Sequence, residues 1–192
     1  MQIQNEALSS AVQHYIETVR RKGLTVYSFP TARALADVDP MIRQCFEAGT
    51  LFVSRAEHSD FEIFRREVGY PLPEDIAELL NAYWQPGIFG YYKDFPECFI
   101  LFPAMRNRGE QPDDFFLRHG GLVSEVRRWI EYDGDPVKYL PIGIYDPYSC
   151  NFILYEAATG RIFIEAFDDL CNRTFEPVAG SLAELIAGLF LH

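Results

Sequence analysis

Two short apolar runs, Asn151–Tyr155 and Arg161–Phe167, flank the segment Glu156-Ala157-Ala158-Thr159-Gly160. A turn of that length ending in Gly between two strand-like runs predicts a β-hairpin, and a hairpin forces its strands to be antiparallel. Phe152/Leu154 on the first run and Ile162/Ile164 on the second read as its paired faces. The strand-like segments Cys98–Phe102 and Tyr139–Ile144 lie in the same half of the chain. Most other clear elements have helical spacing. The pattern predicts an α+β fold, one domain over residues 1–192, with a mainly antiparallel sheet wrapped by helices, rather than a doubly wound parallel sheet.

The helices are read from their periodicity and their ends. Leu8, Val12, Tyr15, Ile16 and Val19 form one apolar stripe, stopped by Arg20-Arg21-Lys22 and Gly23. The basic run therefore has an explanation in the helix dipole; a phosphate or membrane role is the sharper alternative. Residues 24–50 read as irregular, broken at Pro30 and Pro40, with a short strand at Leu51–Val53. Phe61, Phe64 and Val68 suggest a short helix ended by Gly69. After Pro73-Glu74-Asp75, a good helix start, Ile76, Leu79, Leu80, Tyr83 and Trp84 recur at i, i+3, i+4, i+7 and i+8, up to Pro86-Gly87. Residues 87–97 are rich in aromatics and glycine, and carry Phe89, Tyr91, Tyr92 and Phe95. Pro112-Asp113-Asp114 opens a helix that Gly120-Gly121 breaks and Val123, Val126, Trp129 and Ile130 continue. Ser181-Leu182-Ala183-Glu184 is a capping box for a terminal helix carrying Leu182, Leu185, Ile186 and Leu189. The expected core is Ile76, Leu80, Trp84, Phe99, Leu101, Ile142, Phe152, Leu154, Ile162, Ile164 and Leu185.

Charge narrows the function classes. The formal net charge is −11. Residues 1–70 hold 9 acidic and 8 basic side chains, and residues 71–192 hold 19 and 9. Such a surface repels phosphate backbones, so nucleic acid is not the expected partner. Solubility alone accounts for an acidic chain; steering of a basic partner is the functional alternative. The four cysteines, at 45, 98, 150 and 171, show no CxxC spacing, and the four histidines show no HxxxH pattern. Buried reduced thiols, no metal and no organic cofactor are expected. The polar N-terminus has no signal-peptide pattern and no apolar run approaches a membrane span, which predicts a cytoplasmic location.

No phosphate loop, dinucleotide fingerprint, nucleophile elbow or EF-hand motif is present. His119 beside Gly120-Gly121 is the best-placed histidine for a site, and a core or surface role explains it as well. Asp113-Asp114 opens a helix, Asp133-Gly134-Asp135 makes a turn, and Asp168-Asp169 follows a strand, so local structure accounts for each acidic pair. The expectation is that the chain is not an enzyme.

Several stretches together resemble the Syd family of SecY-interacting proteins and, more broadly, the SUKH superfamily. They are Pro71-Leu72-Pro73-Glu74-Asp75 leading into Ile76–Trp84, Phe89-Gly90-Tyr91-Tyr92, Phe99-Ile100-Leu101-Phe102, the Asp113-Asp114-Phe115 onset, the hairpin from Phe152 to Phe163, and the capped helix Ser181–Leu189. The N-terminal helix Ala7–Val19 and the length fit too. The resemblance implies a SUKH/Syd-like fold and a non-enzymatic, protein-binding role. Syd-like proteins turn an acidic concave surface towards basic cytoplasmic loops of SecY, and so associate peripherally with the membrane. Other SUKH proteins are immunity factors that neutralise toxin domains, often basic ones. The candidate binding residues are Asp94, Glu97, Asp113, Asp114, Asp133, Asp135 and Asp146, with Tyr91, Tyr92 and Tyr148 as apolar contacts. The alternative is that these carboxylates scatter as caps and turns.

Overall fold

The computed structural model describes residues 3–111, 113–117, 121–132, 134–145, 151–167 and 169–191, without the side chains of 31–34. Among these residues six α-helices, α1 (Glu6–Arg21), α2 (Pro40–Glu47), α3 (Glu62–Val68), α4 (Glu74–Ala82), α5 (Leu122–Glu131) and α6 (Leu182–Gly188), are interleaved with strands. A pair, β1 (Val53–Ser54) and β2 (Tyr83–Trp84), stands apart. The main sheet comprises β3 (Ile88–Tyr92), β4 (Phe99–Leu101), β5 (Tyr139–Tyr145), β6 (Asn151–Glu156), β7 (Ile162–Phe167), β8 (Arg173–Ala179) and β9 (Leu189–Phe190). From β3 to β8 it is an unbroken antiparallel meander, and β9 adds antiparallel to β3. The fold is therefore α+β with an antiparallel sheet. Helix α6 touches both β3 and β8. Those strands are five steps apart, roughly 24 Å in a flat sheet, which one helix cannot bridge, so the sheet curls around it.

Local signals set several helix ends. Gly23 adopts φ 64° just past the end of α1, as expected, and the Asn5 side chain, a cap not anticipated, accepts the Leu8 N–H at 3.1 Å to start that helix. Gly69, at φ 93°, stops α3. Ser181 accepts the Glu184 N–H at 3.1 Å, while Glu184 reaches back to the Gly180 N–H at 2.8 Å. Asp114–Leu117 forms a 3₁₀ turn, and α5 starts after an extended Gly121; Gly120 lies outside the described residues.

Other expectations are corrected. Pro40 does not break the chain; it sits in the first turn of α2, whose N-cap Asp39 accepts the Met41 N–H at 3.0 Å. The α4 periodicity runs on to Trp84, yet the helix ends at Ala82 and residues 83–84 are extended. The cause is tertiary. The Arg55 guanidinium donates to the Leu80 carbonyl at 2.8 Å and the Arg55 N–H to the Ala82 carbonyl at 3.0 Å, which caps the helix end from outside its own sequence. Leu189, expected in the terminal helix, belongs to β9 opposite Tyr92. Strand β8 had no sequence signal; Pro177 interrupts its pattern and is tolerated because β8 is an edge strand.

All eleven expected core residues are buried, but they do not share one face. Leu154 pairs with Phe163, and Ile153 with Ile164. Directly opposed residues point to the same side of a sheet, so Phe152 and Leu154 lie back to back with Ile162 and Ile164 rather than beside them. The concave face, with Ile153, Tyr155, Ile162 and Ile164, joins the helices in the main core. The convex face carries a small separate cluster: Trp129, Tyr139, Phe152, Leu154 and Phe163. Three of the thiols also differ from expectation: Cys45 and Cys98 are half-buried and Cys171 is exposed, all three free, while Cys150 lies outside the described residues.

Candidate functional site

Among the described residues, the expected acidic side chains do not converge. Asp94 is exposed and Glu97 half-buried in the β3–β4 turn. Asp135 is exposed in the loop before β5, where it accepts the N–H groups of Val137 and Lys138 at 2.9 and 3.2 Å. The meander puts these two turns at opposite ends of the sheet, a strand length of roughly 20 Å apart. Asp113 accepts the Ser59 hydroxyl and lies 4.0 Å from the Arg55 guanidinium, so its role is internal. Asp114 accepts the Gln111 N–H at 2.8 Å in a tight turn. Tyr92 is only 1% exposed and packs on Phe95 and Phe99, which removes it as a contact residue. Tyr91 is half-buried against Phe190. Asp133, Asp146, Tyr148 and His119 lie outside the described residues. As caps, turns and an internal ion pair, the described carboxylates follow the scattered alternative.

A different set of acids does share a cavity. The starts of α1 and α4, the β6–β7 turn and the residue before α6 enclose an open cleft of about 560 Å³. Glu74, Asp75 and Glu78 line it from α4, together with Gln4, Asn5, Tyr155, Thr159, Gly160 and Ser181. None of these lining residues is basic.

Each wall is held by specific contacts. The Asn5 N–H donates to Glu78 Oε2 at 3.0 Å and ties α1 to α4. Tyr155 points to the concave side of β6 and is 7% exposed, with its hydroxyl hydrogen-bonded to the Asp75 carboxylate. Gly160 makes room for that hydroxyl: its φ is 73°, and a Cβ there would sit 3.2 Å from the Tyr155 oxygen. Asp75 also accepts the Ile76 N–H at 2.9 Å. Burial raises the proton affinity of Asp75 above the ordinary carboxylate range, against the pull of the Tyr155 hydrogen bond. Burial, with the Asp75 charge behind it, likewise pushes the Tyr155 phenol up.

Reading Glu74 and Asp75 as partners of the α4 dipole was right as far as it went, but left their second role out. One signal was available. Glu74 and Glu78 are like charges at i and i+4, a pairing that costs a helix a few tenths of a kcal/mol, and only Glu74 lies in the first turn, where the dipole offsets it.

Among the described residues, no three His, Cys, Asp or Glu side chains gather closely enough to hold a metal ion. No helix among them is long and apolar enough to cross a membrane. Comparisons with family models, with curated proteins and with solved structures give no match.

Proposed function

We propose that this chain is a non-enzymatic protein-binding module whose acidic cleft receives a basic segment of a partner protein. The observation that carries the reading is the cleft itself: about 560 Å³, lined among the described residues by three carboxylates and by no cation. Low-dielectric walls focus the field of such a cleft and attract a Lys/Arg-rich segment. A polypeptide segment fits better than a small ligand, because the cleft is wide, open and only half apolar, whereas small-molecule pockets are enclosed and mostly apolar. An acidic concave surface is also what the Syd-like resemblance implies, so the partner proposed first is a basic cytoplasmic loop of SecY; a basic toxin domain is the alternative.

The test is fluorescence anisotropy with a labelled Lys/Arg-rich peptide. Binding should weaken steeply with salt, and the double variant Glu74→Gln/Glu78→Gln should lose about tenfold in affinity, a change of roughly 1.4 kcal/mol. Binding insensitive to both would refute the reading, and so would recovery of the peptide cleaved or otherwise modified. A pull-down from native membranes then separates the partners: SecY supports the first, a toxin domain the second.

A further inference from the structure

The convex face of the sheet has the opposite character to the cleft. Each of the four rings in its cluster carries a cation. The Arg128 guanidinium lies 4.5 Å from the Phe152 centroid, Arg173 4.9 Å from Trp129, Arg161 5.1 Å from Phe163, and the Lys138 ammonium 4.8 Å from Tyr139. Four basic groups thus gather on one face of a chain whose net charge is −11. Two of them are matched: Glu165 sits 2.9 Å from Arg173, and Glu125 2.7 Å from Arg128. Lys138 and Arg161 are exposed, and no described carboxylate forms a salt bridge with either.

The same face is unusually apolar for an open surface. Phe175 and Tyr139 stack at 5.0 Å, yet Phe175 remains 36% exposed, Phe167 53% and Tyr132 58%. Between Arg128 and Arg173 the surface dips into a cavity of about 180 Å³, floored by Phe152 and walled by Tyr132 and Phe167. A guanidinium lying flat on a ring keeps its N–H edge free, and that edge matches a carboxylate bidentately.

We propose that this convex face is a second docking surface, built for an acidic segment of a partner polypeptide that also presents a large apolar side chain. Charge complementarity selects the occupant. Carboxylates meet Lys138 and Arg161, and the apolar side chain enters the cavity between Arg128 and Arg173. A single-stranded nucleic acid is the other anionic class with a taste for aromatic sheets, but it needs open ring faces on which to stack. Here the four cluster rings are 9% exposed or less and covered by the chain's own cations, which leaves, among the described residues, only the flanking Phe167, Phe175 and Tyr132 with partly open faces.

The experiment uses the whole chain and a labelled peptide of Glu and Asp interspersed with Leu and Phe, followed by anisotropy at low salt. The expected result is saturable, salt-sensitive binding that the reversal Lys138→Glu/Arg161→Glu weakens about tenfold or more. The milder Lys138→Gln/Arg161→Gln should give a smaller loss in the same direction with an unchanged thermal transition, which separates lost contact from lost fold. Phe167→Ser, at the wall of the cavity, should weaken binding without changing its salt dependence. Binding of the Lys/Arg-rich peptide to the cleft should be unaffected by either pair of substitutions, so failure of one reading leaves the other standing. The proposal is overturned if the acidic peptide does not bind, or if both pairs leave its affinity unchanged. It is overturned equally if oligouridylate binds in its place, or if the reversals act by abolishing concentration-dependent self-association, which would put a second copy of the chain on this face.

Discussion

Removing one oxygen atom, by Tyr15→Phe, should destabilise this protein by about 2–3 kcal/mol. The Tyr15 hydroxyl donates to the Phe89 carbonyl at 2.9 Å and accepts the Phe89 N–H at 3.0 Å. It thus supplies to β3 both bonds that a neighbouring strand would supply. The strand needs them because β9 covers only Tyr91 and Tyr92 on that edge. Tyr15 is 1% exposed, and its ring packs edge-on against Phe52, so the substitution leaves no space that water can readily enter. Each backbone group left unpaired costs about 1–3 kcal/mol when buried. Phe89 is half-buried, which places the sum towards the lower part of that range. At about 2–4 °C per kcal/mol for a chain of this size, the Tm should fall by roughly 4–12 °C. Urea unfolding should show the loss as a lower midpoint with an unchanged slope, since no surface is newly exposed. Hydrogen exchange at the Phe89 amide should accelerate locally. A loss below about 0.5 kcal/mol, less than one ordinary hydrogen bond, together with unaltered exchange, would show that the edge is satisfied another way and refute the reasoning.

Burial pushes the phenols of Tyr15 and Tyr155 upward, and that of Tyr70 up to about 12. The folded state therefore keeps protons that the unfolded chain releases near pH 10, so stability should be flat below that point and fall as pH rises beyond it; thermal unfolding scanned against pH checks this, and Tyr15→Phe should shallow the slope. The raised proton affinity of Asp75 has the same sign at lower pH: its contribution is greatest in acid and declines as pH climbs through the folded-state value. Asp75→Asn should therefore stabilise the protein at neutral pH, less so in acid, while weakening the basic peptide; destabilisation at pH 7 in urea titrations would contradict this. Gly143→Ala should cost roughly 1–3 kcal/mol or more as overpacking, because its Cβ would lie 2.3 Å from the Ile100 carbonyl oxygen on the adjacent strand; a circular-dichroism melt within 1 °C of the parent would exclude the close approach.

What was legible in the sequence was local. The glycine stops of α1 and α3 and the box before α6 are set by residues within four positions, and they read correctly. The end of α4 was illegible because Arg55 caps it from 25 residues away. Strand β9 was illegible because two residues carry no period, and Leu189 continues the α6 stripe as naturally as it faces Tyr92. The antiparallel sheet was legible from one hairpin, yet its faces were assigned one residue out of step. The acidic cleft was missed for a related reason: its walls come from four separated segments, and each of its acids already had a sufficient local explanation.

That hairpin register links both proposed surfaces. On β6, Tyr155 faces the concave side and reaches Asp75 in the cleft; Arg161, just before β7, and Phe163 and Glu165 on it face the convex side and build the cationic face. A slip of one residue between strands would exchange the faces of every side chain on one of them. It would turn either Tyr155 away from the cleft or Arg161 towards the core, according to which strand slipped. The turn guards against this: the Gly160 N–H closes onto the Glu156 carbonyl at 2.8 Å, Thr159 bonds the Glu156 carboxylate at 2.6 Å, and only a residue at ease with positive φ fits at 160. The two surfaces, opposite in charge and separated by one layer of sheet, therefore depend on the same five-residue turn.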